Sequence, residues 1–146
     1  MSPYFYLMLE IDIEIVELEE KTYHPLIKAE FHGLGDLWWV IDTGASKSVF
    51  DEALTDYYTL DNDDHVMATG LGKEMVETNS GKINSFILGE TDFGVLHVAL
   101  INFTHINTEY AKFSDKLIIG LLGSDFLFAH KAILDFDRKR LSLIKE

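Results

Sequence analysis

The chain has 146 residues, 47% of them hydrophobic, no cysteine and a formal net charge of -13. That length suits one domain, residues 1–146, with a core of its own, and the missing thiols remove disulfide frameworks, cysteine nucleophiles and thiolate metal sites. The negative charge repels phosphate backbones and anionic lipid, and no apolar run approaches the roughly 20 residues of a membrane span, so neither nucleic acid nor membrane is expected as a partner.

The N-terminal stretch has no basic region ahead of its apolar residues and meets acids within its first turns, unlike a secretory signal, so the expected location is cytoplasmic. Residues 7 to 15 alternate apolar side chains with Glu10, Asp12 and Glu14, the period-2 pattern of a half-buried strand. A charged turn from Glu17 to Lys21 leads to a second strand over Tyr23 to Phe31, then a turn with Gly33 and Gly35. Leu37 to Ile41 is apolar on both faces, as in a central strand.

Lys47 to Leu54 reads as a short helical turn and Thr55 to Asp64 as a polar excursion. Residues 66 to 69 and 74 to 78, about Gly70-Leu71-Gly72, form a hairpin. Ile83 to Leu88 and Val95 to Ile101 are two further strands, and Phe103 to Lys116 is a loop or a short helix. Leu117 to Gly123 is a second apolar run. Ser124 is placed to cap a helix over Asp125 to His130, and Ala132 to Phe136 with Leu141 to Ile144 make a closing hairpin. Many short strands without a βαβ rhythm predict a mainly β domain, a folded-over barrel or sandwich.

Several motifs carry no function. Asp92-Phe93-Gly94 matches a kinase tripeptide without its companions, and Gly70-Leu71-Gly72 lacks the third glycine of a dinucleotide loop. The six histidines show no metal-ligand spacing, so no metal or other cofactor is expected. Asn102-Phe103-Thr104 fits a glycosylation acceptor that means nothing without secretion.

Asp42 is different. It ends a doubly apolar strand, Trp38-Trp39-Val40-Ile41, and a carboxylate there is costly unless it is hydrogen-bonded or used. Asp-Thr-Gly is also ordinary turn chemistry. Here, however, Gly44 brings a backbone N–H close, while Thr43 and Ser46 supply hydroxyls within the same turn.

The stretch Trp38-Trp39-Val40-Ile41-Asp42-Thr43-Gly44-Ala45-Ser46, the hairpin at 66 to 78 and the downstream Gly120-Leu121-Leu122-Gly123-Ser124-Asp125-Phe126-Leu127 occur in that order. Together they resemble a retropepsin-like aspartic peptidase, over roughly Tyr23 to Leu143. The resemblance implies a closed acid-protease barrel with a flap and one or two short helices. It also implies an aspartic endopeptidase that acts on a peptide or protein substrate. The chain carries a single Asp-Thr-Gly, so the likeness implies a homodimer with one Asp42 from each protomer.

By that likeness Asp42 is catalytic, Thr43 interlocks the two loops, and Gly44 offers its N–H to the carboxylates. Ala45 keeps the loop compact and Ser46 bonds an outer carboxylate oxygen. Gly70, Leu71 and Gly72 close over the substrate, and Leu121, Leu122 and Gly123 pack beneath the active loop. Asp125 sits near a helix start, outside the catalysis, and Trp38 and Trp39 belong to the core. The competing reading is a non-catalytic peptide-binding or dimerisation module with the same fold.

Overall fold

The computed structural model describes residues 7–31, 33–69 and 75–145, with backbone alone at 62–69 and 75–78. In chain order the strands are β1 (Leu7–Asp12), β2 (Glu14–Glu19), β3 (Thr22–Lys28), β4 (Leu37–Ile41) and β5 (Val49–Asp51). A 3-10 turn (Thr55–Tyr57) leads to β6 (Thr59–Thr69), β7 (Met75–Ile83), β8 (Ile87–Leu88), β9 (Thr91–Asp92) and β10 (Leu96–Ile101). The helix α1 (Thr104–Tyr110), β11 (Leu117–Leu122), α2 (Ser124–Ala129), β12 (Ile133–Asp135) and β13 (Arg140–Lys145) complete the chain. The fold is mainly β, as the sequence pattern predicts.

An eight-stranded sheet runs β2-β3-β4-β11-β5-β10-β7-β6, a three-stranded sheet β1-β13-β12, and β8 pairs with β9. The expected strand over residues 7 to 15 is in fact two. Ile13 is buried at the break and gives its N–H to the Lys139 carbonyl at 3.1 Å, so β1 joins the small sheet through β13 while β2 joins the large one through β3. Alternation is the same on both sides of such a switch, which is why the pattern hides it.

Lys47 to Leu54 is likewise not helical. Its centre, β5, lies between β11 and β10, antiparallel to the first and parallel to the second. Phe50 is fully buried there, so tertiary pairing overrides the local preference. The hairpin arms β6 and β7 pair antiparallel from Thr59 opposite Lys82 to Thr69 opposite Met75, longer than expected. Gly70, Leu71 and Gly72 lie outside the described residues.

The two tryptophans of β4 face opposite ways, as strand geometry requires. Trp39 stacks on Phe50 at 5.5 Å and meets Phe86 edge-on at 5.2 Å, and Phe86 in turn meets Phe126 of α2. This ladder ties the central strand to the helix that follows β11. Each buried aromatic pair adds about 0.5–1.5 kcal/mol beyond its area. Trp38 packs in a second cluster with Val16, Leu26, Val40, Phe103, Tyr110 and Ile118, under α1. Among the described residues no helix is long and apolar enough to cross a membrane.

Candidate active site

β4 and β11 run parallel, with Val40 opposite Leu121 and Ile41 opposite Leu122. The chain leaves β4 at Asp42, whose N–H donates to the Leu122 carbonyl at 2.9 Å, so the loop starts from a fixed point on the neighbouring strand. The close approach of these strands depends on Gly120. A Cβ there would lie 2.3 Å from the Trp39 ring and 2.7 Å from the Val49 carbonyl oxygen.

Within the loop the Gly44 N–H donates to Asp42 Oδ1 at 3.0 Å, and the Ala45 N–H to the Asp42 carbonyl at 3.2 Å. A Cβ on Gly44 would come within 3.3 Å of that same carboxylate oxygen. Asp42 is half-buried, while Thr43, Gly44 and Ser46 are exposed. The Ser46 hydroxyl makes no bond to Asp42.

The loop is strapped to α2 from the other side. Ser124 donates its N–H to the Ala45 carbonyl at 2.7 Å. Ser48, fully buried, donates its hydroxyl to Asp125 Oδ1 at 2.8 Å and its N–H to Asp125 Oδ2 at 3.0 Å. The Gly123 N–H returns to the Ser48 hydroxyl at 2.9 Å. Gly123 is also hemmed in, since a Cβ would lie 2.7 Å from the Ala45 carbonyl oxygen.

Leu122 is fully buried beneath the loop and Leu121 is partly buried on the Trp38 side. Ser124 does not cap α2: Gly123 holds the cap position without a side-chain bond, and Asp125 Oδ1 accepts the Phe126 N–H at 2.8 Å. The sequence pattern does not distinguish Ser48. Its signal was a third hydroxyl residue in Thr43-Gly44-Ala45-Ser46-Lys47-Ser48, immediately before an apolar strand.

A cavity of about 490 Å³ opens beside the carboxylate, with His24, Val40, Asp42, Thr43, Leu134 and Phe136 in its walls. His24 Nδ1 and the Tyr110 hydroxyl are 2.5 Å apart. Tyr110 is buried, and burial first, then the negative charge of Asp42, pushes its hydroxyl up to about 12. Neither His24 nor Tyr110 carries a recognisable motif. Among the described residues no cluster of three or more His, Asp or Glu side chains is arranged to hold a metal ion.

A crystal structure of a retropepsin-like aspartic protease from Rickettsia conorii superposes with a TM-score of 0.53 at 19% identity, covering 99% of this chain and 97% of that one, which establishes a retropepsin-like fold. No curated protein matches the sequence at a significant level. The family model described as aspartyl protease matches residues 27–126. The matched segment contains the Asp42 loop, β11 beneath it and the Asp125 strap, and the chain belongs to that aspartyl protease family.

Proposed function

We propose that this chain is an aspartic endopeptidase that hydrolyses peptide bonds with a water held between two Asp42 carboxylates, one from each protomer of a homodimer built from single-domain subunits. The observation that carries this reading is the setting of Asp42. It stands at the end of a buried strand, fixed through its N–H to Leu122 and through Oδ1 to the Gly44 N–H, with Thr43 exposed beside it.

Two carboxylates about 3 Å apart share one proton, because both cannot ionise together. The ionised one takes a proton from the water as its oxygen attacks the peptide carbonyl, and the protonated one donates to the carbonyl oxygen. Collapse of the resulting diol with a proton passed to the leaving nitrogen frees the two products. Thr43 contributes the contact between the loops at the two-fold axis. Gly44 orients the carboxylate and Ala45 keeps the loop compact. Gly70, Leu71 and Gly72 close over an extended peptide.

A dimer is also consistent with the surface. Leu134 in β12 and Phe136 just after that strand lie beside Asp42 and Thr43 in the same cavity, and β12 ends the three-stranded sheet. Ile133 and Phe136 are exposed. Wider hollows exist, including one of about 600 Å³ lined by Lys28, Glu30, Phe31 and Asp36. That one has no wall in common with the Asp42 cavity, whereas one of about 780 Å³ adjoins it through Tyr23 and Phe136, and a cleft completed by a second protomer is expected to be shallow in one protomer alone.

The test is cleavage of a denatured protein mixture by wild type and Asp42→Asn, with product termini read by mass spectrometry. Cuts made by wild type alone support the reading. Equal proteolysis by the folded variant removes it and leaves a peptide-binding module.

A further inference from the structure

The hydroxyl of the buried Tyr110 finds its partner in His24 Nδ1. α1 is locked to β11 through Asn107, whose Nδ2 donates to the Ile118 carbonyl at 2.8 Å and whose Oδ1 accepts the Ile118 N–H at 2.7 Å. The helix thus lies over the second core cluster and carries Tyr110 to His24. His24 in turn shares its cavity with Asp42, and every other side chain lining that cavity is uncharged at neutral pH. No ion pair among the described residues joins the imidazole to Asp42, and its Nε2 has no partner among them.

We propose that His24, held by Tyr110, is the group in this cavity that recognises a carboxylate side chain of the peptide substrate beside the scissile bond. The inference rests on the peptidase reading and deepens it. Tyr110 stays a phenol, whose oxygen can donate or accept, and its bond at Nδ1 leaves Nε2 as the free edge of the ring. In the protonated ring Nδ1–H donates to the Tyr110 oxygen and Nε2–H is left as a charged donor for a carboxylate.

The surroundings make such a cation selective. The neighbouring strand β2 presents Glu14 and Glu17, Glu14 is paired with Lys116 at 2.7 Å, and Glu17 accepts the Lys21 N–H. Glu109 on α1 is paired with Lys112, and Asp42 is reserved for the water. A net charge of -13 repels an acidic peptide overall, so a local cation beside the reacting atoms discriminates by position.

The test uses two synthetic peptide pools that differ only in carrying Glu or Gln at one fixed position among randomised apolar residues. For wild type, the Glu-to-Gln ratio of kcat/KM is expected to rise by about tenfold as pH is lowered far enough to charge an imidazole. His24→Gln should flatten that ratio, and Tyr110→Phe should reduce it several-fold. In parallel, imidazole nitrogen NMR of the Asp42→Asn protein should show the His24 titration moving to higher pH with the Glu pool and not with the Gln pool.

A wild-type ratio that ignores pH, or the same rise in His24→Gln, overturns the proposal. So does a His24→Gln variant that changes only the dimer mass in sedimentation, since His24 would then serve the subunit contact. If neither pool is cut but the His24 titration moves with the Glu pool, the peptidase reading falls and carboxylate recognition stands.

Discussion

The buried Ser48 hydroxyl donates to Asp125 Oδ1 at 2.8 Å and accepts the Gly123 N–H at 2.9 Å, so one small side chain joins the end of the Asp42 loop to the start of α2. Removing it leaves the Gly123 N–H unpaired and takes away one of the three bonds that the Asp125 carboxylate accepts. Ser48→Ala is expected to lower stability by about 1–3 kcal/mol, read as a lower urea midpoint at unchanged slope. Because the strap positions the loop rather than touching substrate, kcat should fall with little change in KM. Asp125→Ala should lose more, since it removes the acceptors of the Ser48 N–H and hydroxyl together.

Gly120 makes a sharper prediction. Trp39 lies so close over it that a methyl group would overlap the ring at 2.3 Å, with the Val49 carbonyl blocking retreat at 2.7 Å. Gly120→Ala should cost about 3 kcal/mol, at the upper end of overpacking effects, because both neighbours are fixed. Trp39 is fully buried in the aromatic ladder and Val49 is in β5 between two strands. A thermal midpoint equal to that of wild type would show that β4 and β11 have room to separate.

These two relationships also show what the sequence could and could not carry. Leu37 to Ile41 is legible as a central strand because both faces are apolar, Leu117 to Gly123 is legible as a second apolar run, and the residues about Asp42 are legible because an acid after such a run demands a reason. The parallel pairing of β4 with β11 is not legible, since it joins segments far apart in the chain. β5 is hidden for the same cause: its three residues owe their strand form to neighbours on both sides, not to local pattern. Ser48, His24 and Tyr110 gain their meaning only from contacts across the fold, and the helix that carries Tyr110 reads from sequence as loop or helix alike.

Tyr110 gives a pH prediction. Burial, and next the charge of Asp42, raise its hydroxyl from the ordinary phenol value to about 12. The native state therefore holds this proton more tightly than the unfolded chain. That stabilisation is complete below about pH 10 and is lost as pH rises through about 12, to a limit of about 2.7 kcal/mol for two pK units. Phenolate absorbance should show a tyrosine that titrates later than the exposed ones, and Tyr110→Phe should delete that late step. A late step that survives in Tyr110→Phe would assign it elsewhere.

The edge of β12 supplies the last prediction. β12 pairs with β13 on one side and ends its sheet on the other, with Ile133 61% exposed there. In a monomer, a charge at such a position changes stability by no more than about 0.5 kcal/mol. In a dimer that pairs through this edge, it must be desolvated or displaced. Ile133→Lys is expected to keep the unfolding midpoint of a dilute monomer while raising the dimer dissociation constant by about tenfold or more. If catalysis needs one Asp42 from each protomer, activity in the variant should fall most at low protein concentration and return as concentration rises, by mass action. Sedimentation and activity followed over the same concentration series would test both links. Activity that is linear in protein down to concentrations where only monomer sediments would remove the shared dyad from the mechanism.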